Sequence, residues 1–457
     1  MHSTRPCNPL SLMSRRWLPP LVLLVCPLPS FPQQSYDPDA VLLSVRDRLL
    51  PELERLPRYT CVQTITRRQY HSASQAQRSS CAKVIAAHEQ RKHELSLRSW
   101  DRLRLEVAIA DKQNVYSWVG APKFDKDAFE KLAGGGPLGS GDFGPFLTSI
   151  LRLATISFQK EEAVDKRRLL LYSYDIPLER SRYYIKGDKG WMVTAYSGTL
   201  LLDPANSDVV SMTVRSGALP ENKLVCQALS EVDYTRIPIH DRAILIPRET
   251  RLRMIDPEGG ESLSTVKYSG CREYSSESRL LPEAPPSGPA AEVNHESAPQ
   301  PLPAGLHFAG RIVTPIDSET AAAGDPVEVA LRQPLRDGEN TIAPAGALLH
   351  ARLSRVEQQA SGLTQIALRF ETIELNGTTL ALRATPDLTP MDRSRFAAIT
   401  SDLGPLDRSR FRDVTQVSQD ATSLDTTVLT VRGVRLQFRQ LDLRWTTLPV
   451  EPVPKVP

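Results

Sequence analysis

Between Arg102 and Ile109 the chain alternates without a break. Leu103, Leu105, Val107 and Ile109 are apolar, and Arg102, Arg104, Glu106 and Ala108 lie between them. Successive side chains of a strand point to opposite faces, so this spacing puts the apolar groups on one side of a sheet and the charges on the other. The same device returns at Val210, Met212 and Val214, at Leu252 and Met254, and at Val266 and Tyr268. Turn chemistry separates these stretches at Lys186–Gly190, Asp203–Asn206 and Asp256–Gly260. Consecutive strands with tight turns predict an antiparallel meander. Thirty-seven prolines against eleven phenylalanines also fit many short elements joined by turns.

Helices are fewer. Asp37-Pro38-Asp39 supplies an acidic N-cap, a proline at the first helical position and an acid in the first turn. Val41, Leu42, Val45 and Leu49 then repeat at helical spacing; Pro51 kinks or restarts the helix, and Leu53 and Leu56 continue its apolar face. A helical insertion is predicted over Phe124–Leu132 and, after the glycine-rich loop Gly134–Gly144, over Pro145–Leu153.

Leu281 to Pro303 holds seven prolines among Ala, Ser and Glu, a composition that cannot bury a core and reads as an extended linker. Alternation resumes beyond it at Val327, Val329 and Leu331, at Ile366, Leu368 and Phe370, at Val434, Leu436 and Phe438, and at Leu441, Leu443 and Trp445. The expected fold class is mainly β. Residues 36–280 form an α+β domain, a curved antiparallel sheet with a few covering helices. Residues 281–303 are the linker, 304–448 an all-β barrel or sandwich, and 449–457 a tail. Asp387–Phe396 is nearly repeated at Asp402–Phe411, and a duplicated surface loop is the simplest account.

At the head of the chain, Arg15-Arg16-Trp17 precede an apolar run from Leu18 to Phe31. A basic region followed by a short apolar one is the pattern of a secretory signal. The run is shorter than the ~20 residues that span a bilayer. Residues 1–34 are therefore expected to be a signal, with the mature chain starting between Phe31 and Asp37 and carrying no transmembrane helix. Val25 is a poor residue before a lipidated Cys26, so a soluble periplasmic or secreted form is expected.

Four further cysteines follow: Cys61, Cys81, Cys226 and Cys271. An even number in an exported chain is expected to be oxidised. Three connectivities are open. The local pairs Cys61–Cys81 and Cys226–Cys271 are favoured because each closes a fairly short loop, the first around a strand-turn-strand over Arg67–Ser80. No Cys-x-x-Cys spacing points to a metal.

No reaction is legible. The glycine-rich loop lacks a following lysine, and Pro145 opens the next helix without an N–H, so it does not cradle phosphate. His88 and His93 lack the spacing of a zinc helix and read as solvated. His240-Asp241 has no nucleophile elbow to serve. A net charge of +3 without a basic block excludes a nucleic-acid partner. No catalytic residue, metal or cofactor is expected.

The layout of the first domain resembles the LolA/LolB-like family of periplasmic lipoprotein carriers. The likeness lies in the leading helix, the Arg102–Ile109 strand with its successor Asn114–Trp118, the helical insertion, and the meander through Gly190–Val193 and Thr199–Pro204. It implies an unclosed curved sheet with a helical lid over an apolar cavity. In the second domain, Ala323–Leu331 and Thr341–Leu349 resemble the β-barrel of TrbI-type envelope proteins of type IV secretion systems. The resulting expectation is a non-catalytic envelope protein that binds an apolar or lipidic ligand, or an envelope partner. Leu103, Leu105, Val107, Trp118, Phe129 and Phe146 are the candidate ligand contacts. The rivals are an exported hydrolase with an unrecognised site and a purely structural envelope adaptor.

Overall fold

A computed structural model describes residues 36–72, 80–91, 94–110, 113–121, 143–187, 190–217, 219, 224–239, 242–273, 300–375, 377–387, 414–432, 437–438 and 442–450. The signal run, the Phe124–Leu132 insertion, most of the 281–303 linker, the duplicated loop and the 451–457 tail lie outside them. The first half contains α1 (Pro38–Glu54), β1 (Tyr59–Tyr70), α2 (Cys81–Glu89), β2 (Leu97–Ala110), β3 (Gln113–Trp118) and α3 (Phe143–Leu153). It continues with β4 (Thr155–Val164), β5 (Arg167–Ile176), β6 (Tyr183–Gly187), β7 (Gly190–Thr194), β8 (Tyr196–Asp203) and β9 (Asp208–Ser216). It closes with β10 (Gln227–Ile239), β11 (Arg242–Ile255) and β12 (Glu261–Glu273).

These strands form an antiparallel run in the order β3–β2–β1–β12–β11–β10–β9–β8–β5–β4. The first strands of the chain thus sit beside its last meander strand. Among the described residues β6 and β7 pair only with each other. Helix α1 buries Val41, Leu42, Val45, Leu49 and Leu53, the stripe expected from their spacing, and Pro51 is accommodated within one continuous helix. Removing such side chains from water contributes up to about 2 kcal/mol each, which holds α1 down.

The fold corrects the disulfide pairing. Cys61 is bonded to Cys271 and Cys81 to Cys226, across 210 and 145 residues. Sheet neighbours decided this, not sequence proximity. β1 runs antiparallel to β12, and the register between Thr60–Arg272 and Val62–Ser269 leaves Cys61 facing the bulge that carries Cys271. Of the strand-turn-strand expected over Arg67–Ser80, β1 supplies the first strand as far as Tyr70, residues 73–79 lie outside the described residues, and Cys81 opens α2. Three alanines in Cys81–Glu89 favour that helix.

The second half contains β13 (Gln300–Pro301), β14 (His307–Ile312), β15 (Ile316–Asp317), β16 (Pro326–Leu331), β17 (Leu335–Asp337) and β18 (Asn340–Ala343). It continues with β19 (Leu348–Gln359), β20 (Leu363–Leu375), β21 (Thr378–Ala381), β22 (Arg383–Pro386), β23 (Val414–Asp420), β24 (Ser423–Arg432), β25 (Gln437–Phe438) and β26 (Asp442–Leu448). Among the described residues this half has strands and no α-helix. Its core gathers the alternating residues Val327, Val329, Leu331, Ile366, Leu368, Phe370, Leu443 and Trp445. Trp445 stacks on Phe308 at 5.6 Å and meets Phe370 edge-on at 5.0 Å, while its indole N–H donates to Thr427 Oγ1 at 2.8 Å. Residues 300–302, expected as the end of the linker, belong to the fold: β13 pairs with β21 and Leu302 is buried.

The halves meet along β2. Its outer edge is taken by β3 at Leu105–Ala110, by Ala323 at Leu103, and by β19 at Ser99–Asp101. Arg104 N donates to Ala323 O at 2.7 Å, and Ala323 N donates to Arg102 O at 2.8 Å. Arg352, nearly buried, donates from Nη1 to Val119 O and Gly324 O and forks onto Glu371. Among the described residues the main sheet therefore counts twenty strands; it is mainly antiparallel and, taken whole, does not close into a barrel.

Candidate functional site

One face of β1, β2, β3 and β12 is apolar because the alternation was in phase across all four strands. Cys61 stands opposite Val107, Ile65 opposite Leu103 and Val266, Leu105 opposite Trp118, and Val107 opposite Tyr116. Leu103, Leu105 and Val107 are at most 4% exposed, and Trp118 packs on the same cluster. The other face of β2 is polar: Arg104 pairs with Asp325, and Glu106 with Arg272.

A β-arm covers the apolar face. Among the described residues β10 is paired with β9 only over Leu229–Asp233, and β11 with β12 only over Glu249–Ile255, so residues 234–239 and 242–247 pair only with each other. A bulge at Asp233/Tyr234, where Arg248 is the extra residue, sits at the root of this arm. Bulges bend a ribbon. The arm's Ile237, Ile239, Ile244 and Ile246 then pack in one cluster with Tyr59, Cys61, Ile65, Leu103, Leu105 and Val107.

Arg236 pins the arm at its stem. Its guanidinium donates two hydrogen bonds to Asp208, at 2.8 and 2.7 Å, and two to Glu52 of α1, at 3.0 and 2.9 Å. Glu52 also accepts from Leu245 N at 3.0 Å. The hydrogen bonds to Asp208, offset in part by burial and reinforced by those to Glu52, hold the Arg236 guanidinium well above its ordinary value.

Two polar atoms interrupt the apolar face. Gln63 lies between Cys61 and Ile65, is 2% exposed and faces Leu105; Asn114 faces Ile109 on the same side as Tyr116 and Trp118. Gln63 Oε1 and Asn114 Oδ1 are both buried and accept no hydrogen bond among the described residues. An orphaned buried acceptor costs about 1–3 kcal/mol, so two on one face call for a donor.

Of the candidate contacts, the fold brings Leu103, Leu105, Val107 and Trp118 together, and Phe129 lies outside the described residues. Phe146 is elsewhere. Helix α3 packs on α1 and β5, and Phe146 meets Tyr196 at 4.9 Å and Tyr183 at 5.5 Å. In this tyrosine cluster, burial pushes Tyr196 up to about 12 and also raises Tyr174 and Tyr183. Tyr174 is further fixed by donating to Thr213 O at 2.6 Å. These phenols stay protonated at neutral pH.

His88 is not solvated as expected. Its side chain is nearly buried, with Nε2 at 3.0 Å from Gly259 O and Nδ1 at 3.5 Å from Glu261. It ties α2 to the β11–β12 turn. His93 and His240-Asp241 lie outside the described residues. Among the described residues no group of three His, Cys, Asp or Glu side chains could hold a metal ion. No described helix is long and apolar enough to cross a membrane.

Gln63, Asn114 and the isoleucines of the arm were missed from sequence. Gln63 left a trace: it is the polar residue in the apolar register of Tyr59, Cys61 and Ile65, where alternation calls for another apolar side chain. Ile237, Ile239, Ile244 and Ile246 also alternate.

No protein-family model matches the chain, and no curated protein matches it. Two solved structures are similar in part. A LolA superfamily protein from Nitrosomonas europaea aligns over 55% of this chain and 99% of its own, at TM-score 0.25 and 8% identity. A DUF1329 family protein from Desulfovibrio piger aligns over 52% of this chain and 94% of its own, at TM-score 0.25 and 12% identity. Similarity of this degree establishes no shared family.

Proposed function

We propose that this is an exported, non-catalytic envelope protein that holds an apolar ligand bearing a hydrogen-bond donor between the β1–β2–β3–β12 face and the β10–β11 arm. The observation that carries the reading is the pair of orphaned acceptors, Gln63 Oε1 and Asn114 Oδ1, on an otherwise apolar face. An acyl chain suits the leucines and isoleucines, and a hydroxyl or amide head would satisfy one of the two oxygens. The arm supplies a cover that can lift, since its outer part pairs with no other strand. The second half would contact envelope components.

The test is binding of an apolar fluorescent probe and its displacement by a monoacylglycerol. Gln63→Leu together with Asn114→Leu should weaken monoacylglycerol binding about tenfold, the loss of one net hydrogen bond, while leaving a folded protein. A wild-type protein that binds no probe ends the carrier reading. The strand-paired junction along β2 supports the second reading, a ligand-free adaptor that holds the two halves at a fixed angle.

A further inference from the structure

The β6–β7 hairpin stands apart from the main sheet and presents two different faces. Its inner face is anchored. Ile185 packs with Val225 and Ala228 against Leu252 and Met254, and Tyr183 meets the rings of Phe146 and Tyr196. Ser181 Oγ donates to Thr194 O at 2.5 Å and accepts from Tyr183 N at 3.1 Å, which fixes the base.

With one face anchored, period-two alternation sends Tyr184, Lys186, Trp191 and Val193 outward. Tyr184 is paired with Val193, and Lys186 with Trp191. Trp191 is 64% exposed and Tyr184 54%. Lys186 Nζ lies 6.0 Å from the centroid of the Trp191 ring. Arg180 and Arg182, on the segment leading into β6, are exposed as well, next to Leu178 and Glu179. The described charges from Leu178 to Thr194 are thus three positive and one negative.

We infer that the outer face of the β6–β7 hairpin docks on an anionic lipid surface. Tryptophan and tyrosine settle at the headgroup level of a bilayer, where an apolar ring body and a polar edge are both satisfied. Cations beside them are drawn to anionic headgroups. Self-association is disfavoured by charge, because a two-fold contact of this patch would set its three cations against three others. An anionic surface with apolar depth matches both properties of the face at once. The anchored inner face keeps the rings presented without cost in order, so docking needs no rearrangement of the hairpin.

The test is sedimentation of the full chain with vesicles of phosphatidylcholine alone and with added phosphatidylglycerol, in low and high salt. Each variant carries the same N-terminal segment, so the contribution of that segment cancels. Wild type should favour the anionic vesicles and lose that preference in high salt. Changing Arg180, Arg182 and Lys186 together to Glu should weaken anionic binding at least about a hundredfold, near fivefold for each lost cation. Trp191→Ser should weaken it about tenfold, with an unchanged thermal midpoint. Brominated phosphatidylglycerol should quench wild-type tryptophan fluorescence more than that of Trp191→Phe. Equal binding to neutral and anionic vesicles, or variants that bind like wild type, would overturn the inference. So would a Trp191→Ser change that alters only the oligomeric state, since the occupant would then be a second copy of the chain.

Discussion

Cys61, on the first strand, is bonded to Cys271, on the last strand of the first half's meander, across 210 residues of sequence. The bond crosses the seam where β1 joins β12 and so ties the start of the first half's sheet to its end. Non-reducing peptide mapping should recover Cys61 with Cys271 and Cys81 with Cys226. In the chain-entropy model loops of this length are worth about 5 kcal/mol each, so replacing Cys61 and Cys271 by Ser should lower the unfolding midpoint steeply. A peptide joining Cys61 to Cys81 would contradict the strand order.

The junction between the halves should make them unfold together. Gly324 has φ of +101°, and a Cβ there would strike Arg104 O and come within 2.6 Å of the Trp118 ring. Gly324→Ala should therefore cost about 2 kcal/mol or more, by strain and by loosening the Ala323 bridge to β2. Denaturant unfolding followed by far-ultraviolet circular dichroism should show one transition for wild type. Two transitions in wild type would mean that the pairing along β2 does not couple the halves.

Arg236 serves two carboxylates at once, so its removal should be felt in three elements. Arg236→Gln leaves Asp208 and Glu52 facing each other without the guanidinium and should destabilise by about 3 kcal/mol. Hydrogen exchange should rise first in residues 234–247 and in the last turn of α1. Exchange unchanged in the arm would show that the isoleucines alone hold it.

The sequence made the sheet legible and the pairing of its distant parts illegible. Strict alternation marked β2, β9, β16, β20 and β26, because a half-buried strand imposes its period on the residues themselves. It could not place β1 beside β12, because antiparallel order depends on long-range register that no local signal carries. The local disulfide pairs failed for that reason. The arm over the apolar face was hidden likewise: Ile237 to Ile246 is an ordinary hairpin in sequence, and only its missing neighbours turn it into a cover.

Acid should loosen the turn between β23 and β24 before the rest of the second half. Burial would raise the carboxyls of Asp420 and Asp425. For Asp420, hydrogen bonds from Thr422 and the Arg355 guanidinium outweigh it; for Asp425, Ser423 and Arg383 do. Both carboxyls are held below the usual value of about 3.9. A depressed folded value contributes stability that is present above that range and lost as pH falls through the folded value. Asp425→Asn should therefore flatten the acid dependence of stability below about pH 4 and leave its alkaline side unchanged. An acid transition identical to wild type would show that the Arg383–Asp425 pair adds nothing.

The face formed by Leu103, Leu105 and Val107, with the acceptors Gln63 and Asn114, is proposed to receive an apolar ligand. Native mass spectrometry of protein taken gently from its host, before and after organic extraction, tests it most directly. The expected result is a mass excess that extraction removes, carried by a molecule with an acyl chain and a hydroxyl or amide head, and diminished in Gln63→Leu, Asn114→Leu protein. A chain of unadorned mass that also takes up no added monoacylglycerol would contradict it.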